Sequence, residues 1–380
     1  MAATVTWEDL RGLASFRAGK GCVVSLYLNL DPHVVPTAGD THTRINSLLD
    51  EAAKQAESNR FDLTHDQRVA LRADLDRIRR YVDLEFDRDG TRGLAVFSAS
   101  LDNFWRPVPL SAPVPDEVKI NQDFYLTPLV PLVGRGEGAL VAVVGRERGD
   151  LYRLRAGRLE EVGSWFEEQP RRHDQGGWSQ ARLQRHADGL AHAHLRRVAE
   201  ELDRRLRRER SARVVIVSSD DTRAEFAEML SSQAKAAVVG WTHAEAHAAG
   251  PALLELTLPV LERWQTEREA ELVERWRDET GRNGRAAAGW ADTLEAASDG
   301  RIEILLFRQG AERRAWRCPA CGRLAVQGGK CPLDGNELEP RDEGLDLAVH
   351  QALAHGGTVW SMVDRPELDA AEGIGALLRY

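Results

Sequence analysis

The chain alternates between short apolar runs and longer segments in which apolar residues recur every three or four positions. Short runs such as GCVVSLYLNLDP and ARVVIVSS predict buried strands. RINSLLDEAAKQAE and HDQRVALRADLDRIRRYVDLEF have the spacing of amphipathic helices. No internal repeat of fixed period is visible, so a solenoid is not expected. Strands and helices that alternate along the chain predict an α/β fold.

This pattern divides the chain into three expected domains. The first, residues 1–135, closes in the proline- and glycine-rich NQDFYLTPLVPLVGRGEG, which is typical of a boundary. The second, residues 136–262, opens with short strands expected to form an antiparallel meander. It continues with a long helix that has leucines on one face and arginines on the other. The third, residues 263–380, is expected to be a smaller α/β domain with a cysteine-containing insertion at 316–340.

Composition narrows the function classes. The chain has 380 residues, is 42% hydrophobic and 29% charged, and carries a formal net charge of −9. No apolar run approaches the roughly 18 residues that a membrane helix needs, and the first residues lack the apolar core of a signal peptide. We therefore expect a cytoplasmic protein with no membrane partner. The acidic balance argues against a protein that coats nucleic acid with its whole surface.

One basic stretch stands out against this acidity. Residues 171–210 contain eleven arginines and only six acidic residues. The stretch opens with RRHDQGGWSQARLQRH, in which Gly176 and Gly177 permit tight backbone conformations and Gln180 offers a neutral amide donor. The clustered arginines make this stretch a local basic surface on an acidic protein. The plainer interpretation is a polar surface loop followed by a solvated helix.

The cysteines suggest a metal centre. CPACGRLAVQGGKCPLDG contains a CxxC pair, nine further residues and then CxxD. In a reducing compartment such clustering favours metal over disulfides. We expect a structural Zn²⁺ held by two knuckle-like turns, with ligands Cys318, Cys321, Cys331 and Asp334. His350 or His355 is an alternative fourth ligand, and a knuckle that folds without metal is the alternative to the whole site.

Five segments occur in an order that is informative together. They are VVSLYLNLDP, GLAVFSAS, the GGWSQ stretch with its helix, DTLEAASDGRIEILLF and the terminal EGIGALLRY. In this order the chain resembles the archaeal and eukaryotic class-I peptide-chain release factors, in the branch of relatives found in bacteria. The resemblance implies three domains: an N-terminal α/β domain, an RNase H-like middle domain with the glycine loop and long helix, and a C-terminal α/β domain with a zinc-ribbon insertion.

Two departures from that family shape the functional expectation. The family loop is GGQ, whereas here Trp178 and Ser179 separate the glycine pair from Gln180. This spacing is similar to that of the release-factor-like enzyme of eukaryotic ribosome quality control, which cuts peptidyl-tRNA. The stop-codon-reading tetrapeptide NIKS is absent, so stop-codon release is the least favoured of three functions.

The resemblance implies two other functions. The first is a ribosome-associated protein that hydrolyses the ester of peptidyl-tRNA in rescue or quality control, with Gly176, Gly177 and Gln180 as catalytic residues. The second is a hibernation factor that occupies the A site and silences idle ribosomes without catalysis. For both, the implied partners are the ribosome with its rRNA and tRNA, and an elongation-factor-type GTPase, with no DNA partner. The residues that the resemblance implies for RNA contact are Arg171, Arg172, His173, Trp178, Arg182 and Arg185.

Overall fold

The computed structural model describes residues 5–57, 63–88, 90–133, 138–155, 158–166, 178–209, 212–243, 250–363 and 365–380. For residues 178–184 it describes the backbone only. The helices and strands confirm an α/β fold. The chain divides into two compact units, one made of residues 1–133 with 268–380 and one of residues 134–267.

The first part of the chain forms an antiparallel sheet covered by helices. Its elements are α1 (Trp7–Ala14), β1 (Val23–Asn29), α2 (Ala38–Glu57), α3 (His65–Leu84), β2 (Gly93–Ala99), β3 (Phe104–Leu110) and β4 (Glu117–Asn121). The strand order is β3-β2-β1-β4. Helices α2 and α3 pack on one face, where Ile45 and Ile78 join the core around Val24. Helix α3 begins where Thr64 and Gln67 form a capping box, which satisfies free N–H groups of the first turn.

The middle unit is built on a mixed five-stranded sheet. Its elements are β5 (Leu140–Val144), β6 (Arg148–Arg155), β7 (Arg158–Phe166), α4 (Trp178–Arg208), β8 (Val214–Ser218), α5 (Asp220–Met229), α6 (Ser232–Ala237), β9 (Val238–Thr242) and the first part of α7 (Gly250–Gly281). The order is β7-β6-β5-β8-β9. Strands β5, β6 and β7 form the expected antiparallel meander, whereas β8 and β9 continue the sheet in parallel with β5.

Helices cover both faces of this sheet. Leucines and valines of α4 recur every three or four residues and are buried, as Leu195, Val198 and Leu202 show. Strand β6 approaches this helix closely at Gly149, where an added Cβ would lie 2.4 Å from a methyl group of Val198. The first half of α7 contributes Leu253 to the core of the opposite face. The sheet therefore holds α4 in place through its apolar face and leaves its polar face exposed.

The last part of the chain forms a second mixed sheet and a small ribbon. Its elements are β10 (Ala286–Ala288), α8 (Gly289–Ser298), β11 (Ile302–Arg308), β12 (Ala315–Arg317), β13 (Leu324–Ala325), β14 (Glu339–Arg341), α9 (Gly344–Ala354), β15 (Thr358–Met362) and β16 (Ile374–Leu378). The main sheet has the order β10-β16-β11-β15, and β11 and β15 are parallel. The ribbon is the three-stranded sheet β13-β12-β14, which carries the cysteines. Short 3₁₀ helices cover Ser100–Asp102, Thr127–Leu132 and Pro366–Ala371.

The first and last parts of the chain share one hydrophobic core. Phe97 and Phe124 belong to the same buried cluster as Leu345 and Val349 of α9. The carboxylate of Asp346 accepts hydrogen bonds from backbone N–H groups at positions 126 and 127, at 2.7 and 2.9 Å. These contacts make one unit from segments that lie more than two hundred residues apart. In the described part of the chain, no helix is long and apolar enough to cross a membrane.

Candidate functional site and metal centre

The glycine-containing stretch leads directly into helix α4. The backbone at Trp178, Ser179 and Gln180 is helical, so Gln180 lies in the first turn. The side chains of Trp178, Gln180 and Arg182 are outside the described part. Five further predicted site residues lie outside the described residues altogether, namely Arg171, Arg172, His173, Gly176 and Gly177. Their assignments stay predictions, and Arg185 is the one predicted RNA contact whose side chain is described and exposed.

Helix α4 separates apolar and basic residues onto different faces. While its apolar side chains are buried in the sheet core, its exposed side chains include Arg185, Arg196, Arg197, Arg207 and Arg208. Some charges on the helix are balanced, because Asp188 pairs with Arg146 and Glu201 pairs with Arg204 and Arg205. The exposed arginines lie on the side of the helix that the sheet does not cover, where such side chains can contact phosphates. We call the exposed arginines of α4 the basic face.

The ribbon begins with a tight turn around Cys318. The backbone N–H of Cys318 donates to the carbonyl of Arg323 at 2.8 Å, and the N–H of Gly322 donates to the carbonyl of Cys318 at 3.0 Å. Gly322 has φ = +77°, a conformation that a glycine adopts without steric cost. This turn places Cys318 and Cys321 on the same side of the loop.

The second turn repeats the first. The N–H of Cys331 donates to the carbonyl of Asn336 at 2.8 Å, and the N–H of Gly335 donates to the carbonyl of Cys331 at 2.9 Å. Gly335 has φ = +76°. The CPACGR and CPLDGN segments therefore fold alike, and Asp334 occupies the position that Cys321 has in the first turn.

The two turns bring four possible ligands together. The ligand atoms of the cluster all lie within 4.8 Å of one another, and the residues are Cys318, Cys321, Cys331 and Asp334. The Sγ atoms of Cys321 and Cys331 are 3.5 Å apart, and Sγ of Cys318 is 3.2 Å from a carboxylate oxygen of Asp334. These separations suit a tetrahedral ion with bonds of about 2.0–2.3 Å to oxygen and sulfur. The cluster can therefore hold a metal ion.

The carboxylate of Asp334 is held in its charged form. Its pKa lies well below the usual range because the backbone N–H of Asn336 donates to it, and the neighbouring Cys318 thiol adds to this effect. A charged carboxylate oxygen is a competent zinc ligand. Cys318 and Cys331 are buried, whereas Cys321 is exposed at the surface.

The two histidines considered as fourth ligand have other contacts. The Nε2–H of His350 donates to the carbonyl of Phe124 inside the shared core. Nδ1 of His355 lies 2.9 Å from the carbonyl of Gln351, one turn earlier on the same helix. The structure thus places Asp334, and neither histidine, beside the three sulfurs.

A buried acidic residue was not expected from the sequence. Asp346 is 6% exposed, and Nε2 of His350 lies 3.6 Å from its carboxylate. Besides the two backbone N–H groups, the hydroxyl of Thr127 donates to this carboxylate at 3.0 Å. In the sequence, Asp346 and His350 are recognisable only as an i, i+4 pair on a predicted helix. That spacing does not predict the contact of Asp346 with the backbone at positions 126 and 127.

Comparison with known proteins places these features in a family context. Residues 125–262, which include α4, match the model of bacterial archaeo-eukaryotic release factor family 10. Peptide chain release factor subunit 1 of Archaeoglobus fulgidus is 23% identical over 417 residues, covering 100% of this chain and 98% of the relative. The protein of the same name from Methanocaldococcus jannaschii is 27% identical over 308 residues, covering 69% and 70%.

Solved structures of related proteins align over most of the chain. The crystal structure of the archaeal translation termination factor aRF1 aligns with TM-score 0.28 and 15% identity, covering 99% of each chain. Ribosome-bound archaeal Pelota, solved with ABCE1, aligns with TM-score 0.43 and 13% identity, covering 100% and 95%. Dom34 of S. cerevisiae aligns with TM-score 0.40 and 12% identity, covering 76% and 79%.

The sequence matches agree with the order of segments noted above. Both point to the archaeo-eukaryotic release factors, and the family model points to their bacterial branch. Residues 125–262 are therefore similar to the bacterial branch of the archaeo-eukaryotic release factors, and the whole chain is similar to archaeal peptide chain release factor subunit 1.

Proposed function

We propose that this protein binds the ribosome and hydrolyses the ester of peptidyl-tRNA in ribosome rescue or quality control, independently of a stop codon. The observation that carries this proposal is the position of Gly176, Gly177 and Gln180 within residues 125–262, the range that matches the release factor family. The expected partners are rRNA and tRNA, together with an elongation-factor-type GTPase.

The basic face of α4 supports ribosome binding. An acidic protein needs a local basic surface to approach RNA, and this helix presents one directly after the glycine pair. Arginines there would position the loop against phosphates without reading sequence. Binding and chemistry are then assigned to different residues of one segment.

In this proposal the loop supplies orientation rather than a strong base. The two glycines let the backbone enter a narrow RNA-walled site. The amide of Gln180, or its backbone N–H, would orient water and stabilise the oxyanion that develops during ester hydrolysis. Removing one such donor typically costs about 10²-fold or more in rate.

The decisive experiment compares two glutamines on the same helix. Gln180→Ala should bind ribosomes as the wild type does but release labelled peptide from stalled complexes about 10²-fold more slowly or worse. Gln184→Ala, one turn later, is the matched control and should leave both ribosome binding and peptide release at the wild-type level. Release is measured from ribosomes with labelled peptidyl-tRNA, and binding by pelleting of the same ribosomes.

The outcome separates catalysis from silencing. If Gln180→Ala releases peptide at the wild-type rate, the assigned role of this residue is wrong. If the wild type binds but releases nothing, the protein is a silencing factor of the hibernation type, to which the Trp178 and Ser179 insertion would also be suited. A second pair of variants tests ribosome binding alone. The double variant Arg182→Glu with Arg185→Glu should pellet less with ribosomes and show a weaker dependence of binding on salt. Arg182→Lys with Arg185→Lys keeps the positive charges and should bind nearly as well as the wild type.

We also propose that the cysteine cluster holds a structural Zn²⁺. Its support is the matching pair of turns and the three sulfurs with one carboxylate. When bound, the ion would supply cross-linking of the ribbon and no chemistry for the reaction, because all four ligand positions come from the protein.

A further inference from the structure

Within the cluster, Cys321 and Cys331 differ from Cys318 and Asp334 in which atoms lie close together and in solvent exposure. Their Sγ atoms are 3.5 Å apart, whereas the Sγ of Cys318 lies beside the carboxylate of Asp334. Cys321 is exposed, while Cys318 is fully buried. We propose that the Cys321–Cys331 pair is an oxidative modification site, at which a hydroperoxide forms a disulfide and dismantles the metal centre.

The geometry selects this pair. A disulfide has an S–S length of about 2.05 Å, so the two sulfurs must approach by roughly 1.5 Å. They stand on opposite turns, each closed by a glycine with positive φ, Gly322 and Gly335. Disulfide formation therefore requires the two cysteine side chains to rotate toward each other. Attack by a small hydroperoxide begins at Cys321, since this sulfur is the exposed one.

Asp334 determines the consequence of oxidation. With four cysteines, loss of two sulfurs would leave two thiolates for the ion. Here, loss of Cys321 and Cys331 leaves a single thiolate, Cys318, and one carboxylate. One thiolate and one carboxylate bind Zn²⁺ much more weakly than four ligands do, because Zn²⁺ favours sulfur and nitrogen donors. The aspartate therefore makes oxidation and metal release one event.

The chemistry balances with hydroperoxide as the oxidant. The Cys321 thiolate attacks one oxygen of hydrogen peroxide, the O–O bond breaks, and a sulfenic acid forms as hydroxide leaves. The Cys331 thiolate then attacks that sulfur, the S–S bond forms, the S–O bond breaks, and a second hydroxide leaves. Two protons convert both hydroxides to water. The two thiolates lose two electrons and the peroxide gains them.

The fourth cysteine serves as an internal reference. Cys22 precedes strand β1 and lies apart from the cluster. Burial, with a contribution from Asp74, raises the pKa of its thiol to about 11. Cys22 is partly buried against the core between the sheet and helices α2 and α3, away from the three ribbon cysteines, so it should stay reduced while the ribbon is oxidised.

Release of the metal would reach beyond the ribbon. Arg317, directly before Cys318, forms an ion pair with Asp123 of the first part of the chain, and both side chains are largely buried. Leu324 donates its backbone N–H to the hydroxyl of Ser298 on α8 at 2.9 Å. Opening of the two turns removes the support for both contacts. The modification site is thus connected to the shared core.

The test uses the full-length, metal-loaded protein without ribosomes. Hydrogen peroxide is titrated, zinc release is followed with a chromogenic indicator, and cysteine pairs are mapped by mass spectrometry of non-reduced peptides. We expect loss of two thiols for each zinc released, a cross-link between Cys321 and Cys331, and its reversal by dithiothreitol. Cys22→Ser should behave like the wild type.

A matched variant isolates the role of Asp334. Asp334→Cys should form a disulfide yet need several-fold more peroxide for the same zinc release, because a second thiolate remains. A cross-link that joins Cys318 or Cys22 instead, or thiol loss by sulfinic acid without any cross-link, would overturn the proposal. The experiment involves no peptidyl-tRNA, so its result is independent of whether Gln180 is catalytic.

Discussion

At the scale of single residues, Glu312 shows how the fold imposes an unfavourable environment on a carboxylate. One oxygen accepts backbone N–H groups from Arg313 and Leu345, both at 3.0 Å. Desolvation by the surrounding protein nevertheless raises the pKa of this carboxyl above its usual 4.5, although Glu312 is still exposed to solvent on one side, and the nearby carboxylates of Asp346 and Glu343 raise it further. The folded protein therefore holds this proton more tightly than the unfolded chain does.

This environment predicts a pH-dependent gain from Glu312→Gln. Stability from the raised pKa is present below about pH 4.5 and is lost as pH rises through the folded-state pKa. A glutamine oxygen accepts the same two N–H groups and carries no charge. We expect a higher melting temperature than the wild type at pH 7 and little difference near pH 4. The exposed Glu228→Gln is the control for charge alone, and an equal gain from it would refute the explanation.

At the scale of elements, the ribbon and helix α4 depend on different forces. Helix α4 is supported by a long apolar face in the sheet core. The ribbon strands have only three, two and three residues, and the small cluster beneath them consists of Cys318, Cys331 and Leu338 with two partly buried neighbours. Sheets this short are not stable alone. Ala315 and Leu324 of the ribbon join the shared core, but the two cysteine turns have little apolar support of their own, so a cross-link by a bound ion would stabilise them.

Metal removal should consequently loosen the ribbon and the contacts that Arg317 and Leu324 make with its surroundings, while the larger sheets stay folded. We expect about one zinc per purified chain, and loss of hydrogen-exchange protection at 315–341 after chelation or in Cys318→Ser. Helical circular dichroism should change little, because the larger sheets have their own cores. Cys22→Ser should keep both its zinc and its protection. Protein that lacks zinc yet keeps a fully protected ribbon would show that the turns fold without metal.

At the scale of the whole molecule, one unit is assembled from the two ends of the chain. Its polar contacts centre on Asp346, which accepts from Leu126 and Thr127 and lies near His350. Lys119 forms a further ion pair with Glu343, at 3.0 Å. Since these groups are buried or nearly so, each must be satisfied within the fold.

Asp346→Ala should destabilise this unit by about 2–4 kcal/mol, because buried N–H and hydroxyl donors lose their acceptor. Asp346→Asn keeps an acceptor oxygen and should cost clearly less. Denaturant unfolding measures the difference, and hydrogen exchange should locate the loosening at 124–132 while the middle unit is unaffected. Equal destabilisation by Ala and Asn would mean that the negative charge, not the hydrogen bonding, is what matters.

Local sequence patterns were enough to predict several helices and strands and most of the cysteine cluster. Periodicity predicted the meander β5–β7 and helix α4. The spacing of the cysteines predicted that Cys318, Cys321 and Cys331 lie together, with Asp334 as one candidate for the fourth position, because each turn is closed by bonds between neighbours in sequence. The choice between Asp334 and His350 could not be made that way. It depended on His350 being engaged with Phe124, a residue 226 positions away.

Only the tertiary structure decided how these elements combine. The order of strands, the parallel pairing of β11 with β15 and the shared core of the two chain ends all rest on contacts between distant segments. Apolar periodicity states which face of an element is buried, but it is silent about the partner, since one apolar face packs on many others. The glycine pair and Gln180 were identified from the sequence alone. The basic face that follows them depends on the tertiary structure, because the sheet buries the opposite side of α4.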